Sequence, residues 1–311
     1  MADFSPAYVE SARSGRLQEI IQEAYDILND CTLCPRRCRV DRMAGQVGIC
    51  KTGEQAVVSS WDPHFGEEAP LVGRRGSGTV FFTHCNLLCI FCQNYDISHL
   101  GHGQAVLPGD LAEMMLSLQA TGCHNINFVT PSHVVPQILA AVAIAADKGL
   151  RVPLVYNTGG YDRVNTLRLL EGVIDIYMPD FKFWDRHVAD EACQAPDYPT
   201  VARRAIKEMH RQVGDLIIDE GGIARRGVLV RHLVLPNGLA GTEAVMAFIA
   251  RDISKNTYVN IMAQYRPCGR AREVKALAAP LSRDAYRAAL QAAEKSGITR
   301  LDKPRRVFMF G

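Results

Sequence analysis

Seven of the ten cysteines fall into two short runs, and residues grouped in this way are the ones best placed to do chemistry. Cys31, Cys34, Cys38 and Cys50 are spaced C-x2-C-x3-C-x11-C, and Cys85, Cys89 and Cys92 are spaced C-x3-C-x2-C. Thiols so close together rarely bridge one another well, but they converge readily on one metal or cluster. The first run supplies a full set of four thiolates, which suits a closed zinc site or a complete second iron–sulfur cluster equally. The second run supplies three. Three thiolates can hold a [4Fe-4S] cluster that would ordinarily take four, leaving one iron open to a substrate or cofactor. The alternative at that run is structural zinc completed by His84, His99 or His102. Phe91 offers an aromatic face beside the third thiol. Cys123, Cys193 and Cys268 stand apart, and the usual role of such a residue is a small buried hydrophobe.

Composition limits what these sites serve. The chain has 311 residues, 48% of them hydrophobic, with 35 Lys+Arg against 33 Asp+Glu and a net charge of +2. Near-neutrality argues against a nucleic-acid coat or a polybasic membrane binder, so neither partner is expected. The longest apolar run, 138–146, is too short to span a bilayer. The first residues have neither a basic nor an apolar leader region, and the grouped thiols suit a reduced, cytoplasmic setting.

The elements that must position the thiols are readable from periodicity. Residues 16–28 keep a helical period, and 31–60 lose it in a loop rich in Cys, Arg and Gly. Strands are expected at 79–82, 126–130, 152–157, 173–179, 228–235 and 258–264. Helices are expected between them, at 109–120, 133–148, 163–170, 200–213 and 242–252, with a last one at 282–296. Such a series predicts an α/β fold, a partial (β/α)6 barrel with an N-terminal cysteine-rich cap. Its division is expected as 1–76, helix and four-cysteine cap, and 77–311, barrel core with a C-terminal helix. Chemistry in such barrels gathers at the C-terminal strand ends. There stand Cys85, Asn157, Asp180, Lys182 and Gln264, and after the last strand Cys268, a candidate redox or hydrogen-donor residue whose alternative is a bystander thiol.

With the three-cysteine motif directly after a first strand, the chain resembles the radical SAM superfamily over about residues 77–265. The closer resemblance is to a poorly characterised branch similar to pyruvate formate-lyase activating enzymes. It is carried by 76–82 (GSGTVFF), 89–94 (CIFCQN), 179–182 (PDFK) and 231–236 (RHLVLP). The resemblance implies that Cys85, Cys89 and Cys92 ligate three irons of a [4Fe-4S] cluster while S-adenosyl-L-methionine chelates the fourth. Reduction then cleaves that cofactor to a radical that abstracts a substrate hydrogen, and the protein supplies placement and exclusion of water. It also implies that Asp180 and Lys182 bind the cofactor's polar groups, that Arg231 reaches the same ligand, and that Asn157 contacts its ribose. The Gly-Gly-Glu turn expected after strand two is absent. Val129-Thr130-Pro131-Ser132-His133 stands in its place, so Thr130 and Ser132 offer hydroxyls there, and His133 is a candidate acid or base.

The expectation is a radical SAM oxidoreductase, with glycyl-radical-enzyme activation as the specific activity implied. Radical modification of a small molecule, a peptide or RNA is the alternative among enzymes. A non-catalytic Fe-S or zinc electron carrier or scaffold is the alternative from another class. Expected partners are a flavodoxin- or ferredoxin-type electron donor, attracted by Arg36, Arg37, Arg39 and Arg42, and a glycyl-radical enzyme or other protein substrate.

Overall fold

The computed structural model describes residues 4–302; the outermost parts of the two expected segments, 1–3 and 303–311, lie outside the described residues. The strands in chain order are β1 (Ala56–His64), β2 (Ser77–Phe82), β3 (Gln104–Val106), β4 (Ile126–Val129), β5 (Leu154–Thr158), β6 (Ile176–Pro179), β7 (Ile217–Ile218), β8 (Ala224–Leu233) and β9 (Tyr258–Met262). The helices are α1 (Ala7–Arg13), α2 (Arg16–Asp26), α3 (Ala69–Val72), α4 (Tyr95–Ser98), α5 (Pro108–Ala120), α6 (Val135–Asp147), α7 (Val164–Leu169), α8 (Arg186–Cys193), α9 (Tyr198–Val213), α10 (Thr242–Phe248) and α11 (Arg283–Lys295).

Strands β2, β4, β5, β6, β8 and β9 pair in parallel, each beside the next of the series. The sheet does not close. At the β2 edge it continues antiparallel through β1 to β3, and β7 adds a short antiparallel ladder to β8. This is the open (β/α)6 arrangement that the apolar strand runs imply, and all six expected strands are present.

Side chains alternate across the sheet with the two-residue period of a strand. Val80, Phe128, Tyr156 and Tyr177 form one row in register and belong to the large core shared with the helices. The neighbouring row runs Thr79, Asn127, Val155 and Ile176. Its apolar members gather with Met178, Leu229 and Leu71 of α3 in a smaller cluster. Thr79, Asn127, Asn157 and Arg231 are among the polar residues of these strands, and polar groups buried in a barrel need partners.

The segment before residue 76 packs against this body. Helix α6, buried nearly all round, packs against both α1 and α2. The Ser11 hydroxyl donates to the Gly172 carbonyl at 2.7 Å, the Tyr8 hydroxyl to Val152 at 3.0 Å, and Asp175 accepts from the Ala7 N–H at 2.9 Å. The helical period expected over 16–28 is α2, and Gly15, at φ +80°, separates it from α1. Helix α10 keeps α-helical bonding only to Phe248, and Ile249–Ile253 continues it as a wider π turn. No helix among the described residues is long and apolar enough to cross a membrane.

Candidate functional site

The loop after β2 brings Cys85, Cys89 and Cys92 to the C-terminal ends of the parallel strands, where they line one cavity of about 370 Å³. The loop holds its shape through its own backbone. His84 and Leu88 adopt left-handed conformations, and the Leu87 N–H donates to Cys85 Sγ at 3.3 Å. Burial pushes the Cys85 thiol up to about 12, so exposing it as a thiolate requires a cation or metal beside it. Phe91 lines the same cavity, edge-on to Phe183 and Tyr265 at 5.9 Å from each, an apolar wall against water.

The same cavity is lined by Thr130, Asn157, Asp180, Lys182 and Arg231, so the expected cofactor residues share one space with the thiols. Asp180 sits between two cations: Oδ2 accepts from Lys182 Nζ at 2.6 Å and Oδ1 from Arg231 Nε at 2.8 Å. Burial raises the Asp180 pKa, yet Arg231 and Lys182 together hold it below the ordinary carboxylate range. Arg231 also donates to Asn157 Oδ1 at 2.7 Å. Thr130 stands at φ +61°, a left-handed conformation costly for a β-branched residue, and strain of that kind concentrates at functional sites.

Several supports escaped the sequence reading. Arg231 Nη1 lies 3.4 Å from Glu67 Oε2, and burial pushes Glu67 up to about 7 against the pull of that arginine. Glu68 beside it accepts from Asn260 at 2.7 Å. Both carboxylates follow β1, a strand not foreseen, which is why neither was placed in the barrel. The Tyr198 hydroxyl accepts from the Lys182 N–H at 2.9 Å and lies 2.9 and 3.0 Å from the Gly159 and Asp180 carbonyls, either of which can take its proton. Gly160, at φ +77°, lets that turn approach the Asp180 carbonyl, because an added Cβ would stand 2.3 Å from the oxygen. Cys193 is a further surprise. Its Sγ lies 3.3 Å from Cys89 Sγ, and it does not line the cavity.

Other expectations need correcting. His84, His99 and His102 do not line the three-cysteine cavity; the histidine that does is His64, at the end of β1. His99 instead stacks on Tyr95 with ring centres 4.1 Å apart. His133 is 1% exposed, burial pushes it down to about 3, and its Nε2 lies 2.9 Å from the Thr83 carbonyl; it is no acid or base at the mouth. Ser132 turns to Thr158, 3.0 Å between hydroxyls, rather than to the cavity. Gln264 lines the cavity, and Cys268 does not.

Cys31, Cys34, Cys38 and Cys50 line a second, small cavity. All ten cysteines are free. Of the four arginines expected to face a donor, Arg42 is buried, donating to the Gly53 and His133 carbonyls, and Arg36 is turned inward. Arg39 pairs with Asp30, so the surface charge there falls to Arg37 and Arg39. Among the described residues, no three His, Cys, Asp or Glu groups already enclose a single metal ion.

No protein-family model matches the chain. Among solved structures, a radical SAM methyltransferase from Sphaerobacter thermophilus superposes with a TM-score of 0.45 at 12% identity. The overlap covers 71% of this chain and 64% of that one, under two thirds of its length, and so distant a likeness bears no weight below. The uncharacterised protein MJ0674 of Methanocaldococcus jannaschii is 32% identical over 297 residues, covering 93% of this chain and 82% of the relative. At that identity and coverage the two share one fold and one line of descent, and the chain belongs to the family of MJ0674.

Proposed function

We propose that this chain is a radical SAM enzyme, with a [4Fe-4S] cluster on Cys85, Cys89 and Cys92 and S-adenosylmethionine in the cavity before it. One observation carries the reading: three thiols and a buried Lys182–Asp180–Arg231 array line the same cavity at the ends of six parallel strands. The donor set fits, because Cys85, Cys89 and Cys92 are the three cysteines that line that cavity, and three thiolates leave one iron of such a cluster open toward it. When bound, the group supplies the electron for reductive cleavage of S-adenosylmethionine and thereby a carbon radical that abstracts hydrogen.

The chain's own residues bind, orient and exclude water. Lys182 and Arg231 attract a carboxylate, and ionised Asp180 accepts from an ammonium or a ribose hydroxyl. Asn157 and Thr130 add neutral polar contacts from neighbouring strand ends. Phe91, packed against Phe183 and Tyr265, keeps water from the thiol side. Keeping water out protects a reactive carbon centre from quenching.

The similarity of the four short stretches to pyruvate formate-lyase activating enzymes makes a glycine of a partner protein the first substrate to try. Its readout is a stable glycine-centred EPR signal in that partner. The electron donor expected is of the flavodoxin or ferredoxin type. The test begins with anaerobic reconstitution, then incubation with S-adenosylmethionine and a reductant. Brown protein that forms 5′-deoxyadenosine is expected, with loss of both colour and product at that site in Cys89→Ala. Protein that binds iron but yields no 5′-deoxyadenosine would sink the reading, and colourless protein holding only zinc would favour a scaffold.

A further inference from the structure

The two cysteine loops are joined by one arginine. Arg36, between Cys34 and Cys38, directs its guanidinium out of its own loop. Its Nε donates to the Asn86 carbonyl at 2.9 Å, and Nη2 donates to the carbonyls of Leu87 at 3.2 Å and Cys193 at 2.7 Å. Its Nη1 donates to the Gln194 carbonyl. Asn86 and Leu87 lie between Cys85 and Cys89, and Cys193 carries the thiol beside Cys89. Residues 193 and 194 end α8, where carbonyls lack partners within the helix. The guanidinium also lies over the Tyr161 ring, 5.3 Å from its centre, and the Tyr161 carbonyl accepts from Asn86 Nδ2 at 2.8 Å.

A second tie runs in parallel. Arg42 donates to the His133 carbonyl at 2.9 Å, and His133 Nε2 lies 2.9 Å from the Thr83 carbonyl, two residues before Cys85. The four-cysteine loop therefore grips the three-cysteine loop near Cys85 on one side and before Cys89 on the other.

The gripping loop has little internal structure to keep it in shape. Residues 31–50 contain no α-helix or strand beyond isolated turns. What they do have is four thiols around one cavity, three of them buried. The Ile49 N–H donates to Cys38 Sγ at 3.4 Å, and Gly48 makes room for that sulfur, since an added Cβ would stand 2.6 Å from it. Backbone donors and space directed at a sulfur are what a thiolate ligand needs.

We infer that Cys31, Cys34, Cys38 and Cys50 hold a thiophilic metal group of their own, a zinc ion or a closed iron–sulfur cluster. Arg36 is the positioning residue through which that group fixes the loop carrying Cys85, Cys89 and Cys92. Binding replaces the thiol protons, which pass to solvent, and draws the loop into the shape from which Arg36 reaches across. The inference rests on the radical SAM reading only for what the three-cysteine loop itself holds.

The test uses the full chain isolated anaerobically. In a Cys85→Ala/Cys89→Ala/Cys92→Ala variant, one zinc, or about four irons with matching sulfide, should remain per chain. Adding Cys34→Ser/Cys38→Ser should remove it. Zinc and iron counts separate the two metal sources, and a variant with neither overturns the metal site. For the coupling, Arg36→Gln should leave that metal in place yet speed amide exchange across residues 85–92 about tenfold. In the loaded parent, the same change should shift the EPR signal of the three-cysteine cluster, with Arg36→Lys, which keeps the charge but not the planar fork, falling between. Unchanged exchange and an unchanged signal overturn the coupling. If Arg36→Gln does not fold, Arg36→Lys decides by the same two readouts. Because the metal count is made without the three-cysteine ligands, it stands whether or not 5′-deoxyadenosine is ever formed.

Discussion

A buried imidazole carries part of the placement of Asp180 and Lys182. His232 is wholly buried, and its Nδ1–H donates to the Phe181 carbonyl at 2.7 Å while Nε2 accepts from the Thr242 hydroxyl at 2.9 Å. Burial pushes its pKa down to about 4. The unfolded chain takes up this proton below about pH 6.5, and the folded chain does not until about pH 4, so stability falls as pH drops between those values. The loss is up to about 1.4 kcal/mol per pH unit. His232→Gln should abolish that increment: urea midpoints of parent and variant should converge on going from about pH 7 to about pH 5, and curves that stay parallel would count against it. Cys193 makes a second prediction at this scale. If its S–H donates to Cys89 when a cluster is bound, Cys193→Ala removes a bond that favours the more negative, reduced state. The midpoint potential of the three-cysteine cluster should then fall, and an EPR-monitored titration with no fall would exclude that role. Thr130→Gly should relieve a left-handed backbone worth about 1 kcal/mol and raise the melting temperature, while weakening S-adenosylmethionine binding.

Turns between strands and helices set how closely strand ends approach one another. The β5–α7 turn reaches the Asp180 carbonyl only because residue 160 is glycine. Gly160→Ala adds both a contact 2.3 Å from that oxygen and strain at φ +77°. It should cost about 1–3 kcal/mol in denaturant melts and loosen S-adenosylmethionine binding in calorimetry. A variant as stable and as tight-binding as the parent would show that the turn is free to withdraw. The six parallel strands were legible because each carries a short apolar run, buried on both faces in β2, β4, β5 and β6, and the polar terminal residues Asn157, Asp180 and Lys182 did converge. Strand β1 was not legible, since its outer half is exposed and Asp62-Pro63 interrupts any alternation. Glu67 and Glu68 were lost with it. Cys193 was invisible for another reason: it lies 104 positions from Cys89, and nothing local marks the contact. Arg36 read as surface charge because sequence does not reveal that its partners are carbonyls of a distant loop.

The described residues share a core that runs from α1 to α11, so the molecule should melt in one transition. Removal of residues 1–54 would uncover α6, whose residues are almost all buried, and take away the ties to Asp175, Gly172 and Val152. That truncation should fail to melt cooperatively and should aggregate; a soluble fragment with a sharp thermal transition would show that the barrel stands alone. The same ties bear on how the chain is made. Helix α1 is made before the residues it binds, because its partners at Gly172 and Asp175 lie 161 and 168 positions further along the chain. At about 5–20 residues per second, that is a wait of roughly ten to thirty seconds before the helix can dock. Throughout it, two helices and a run of four bare thiols stand exposed to the nascent chain's surroundings. Metal delivery and chaperone capture would therefore compete for the same stretch of polypeptide while most of the barrel is still unmade.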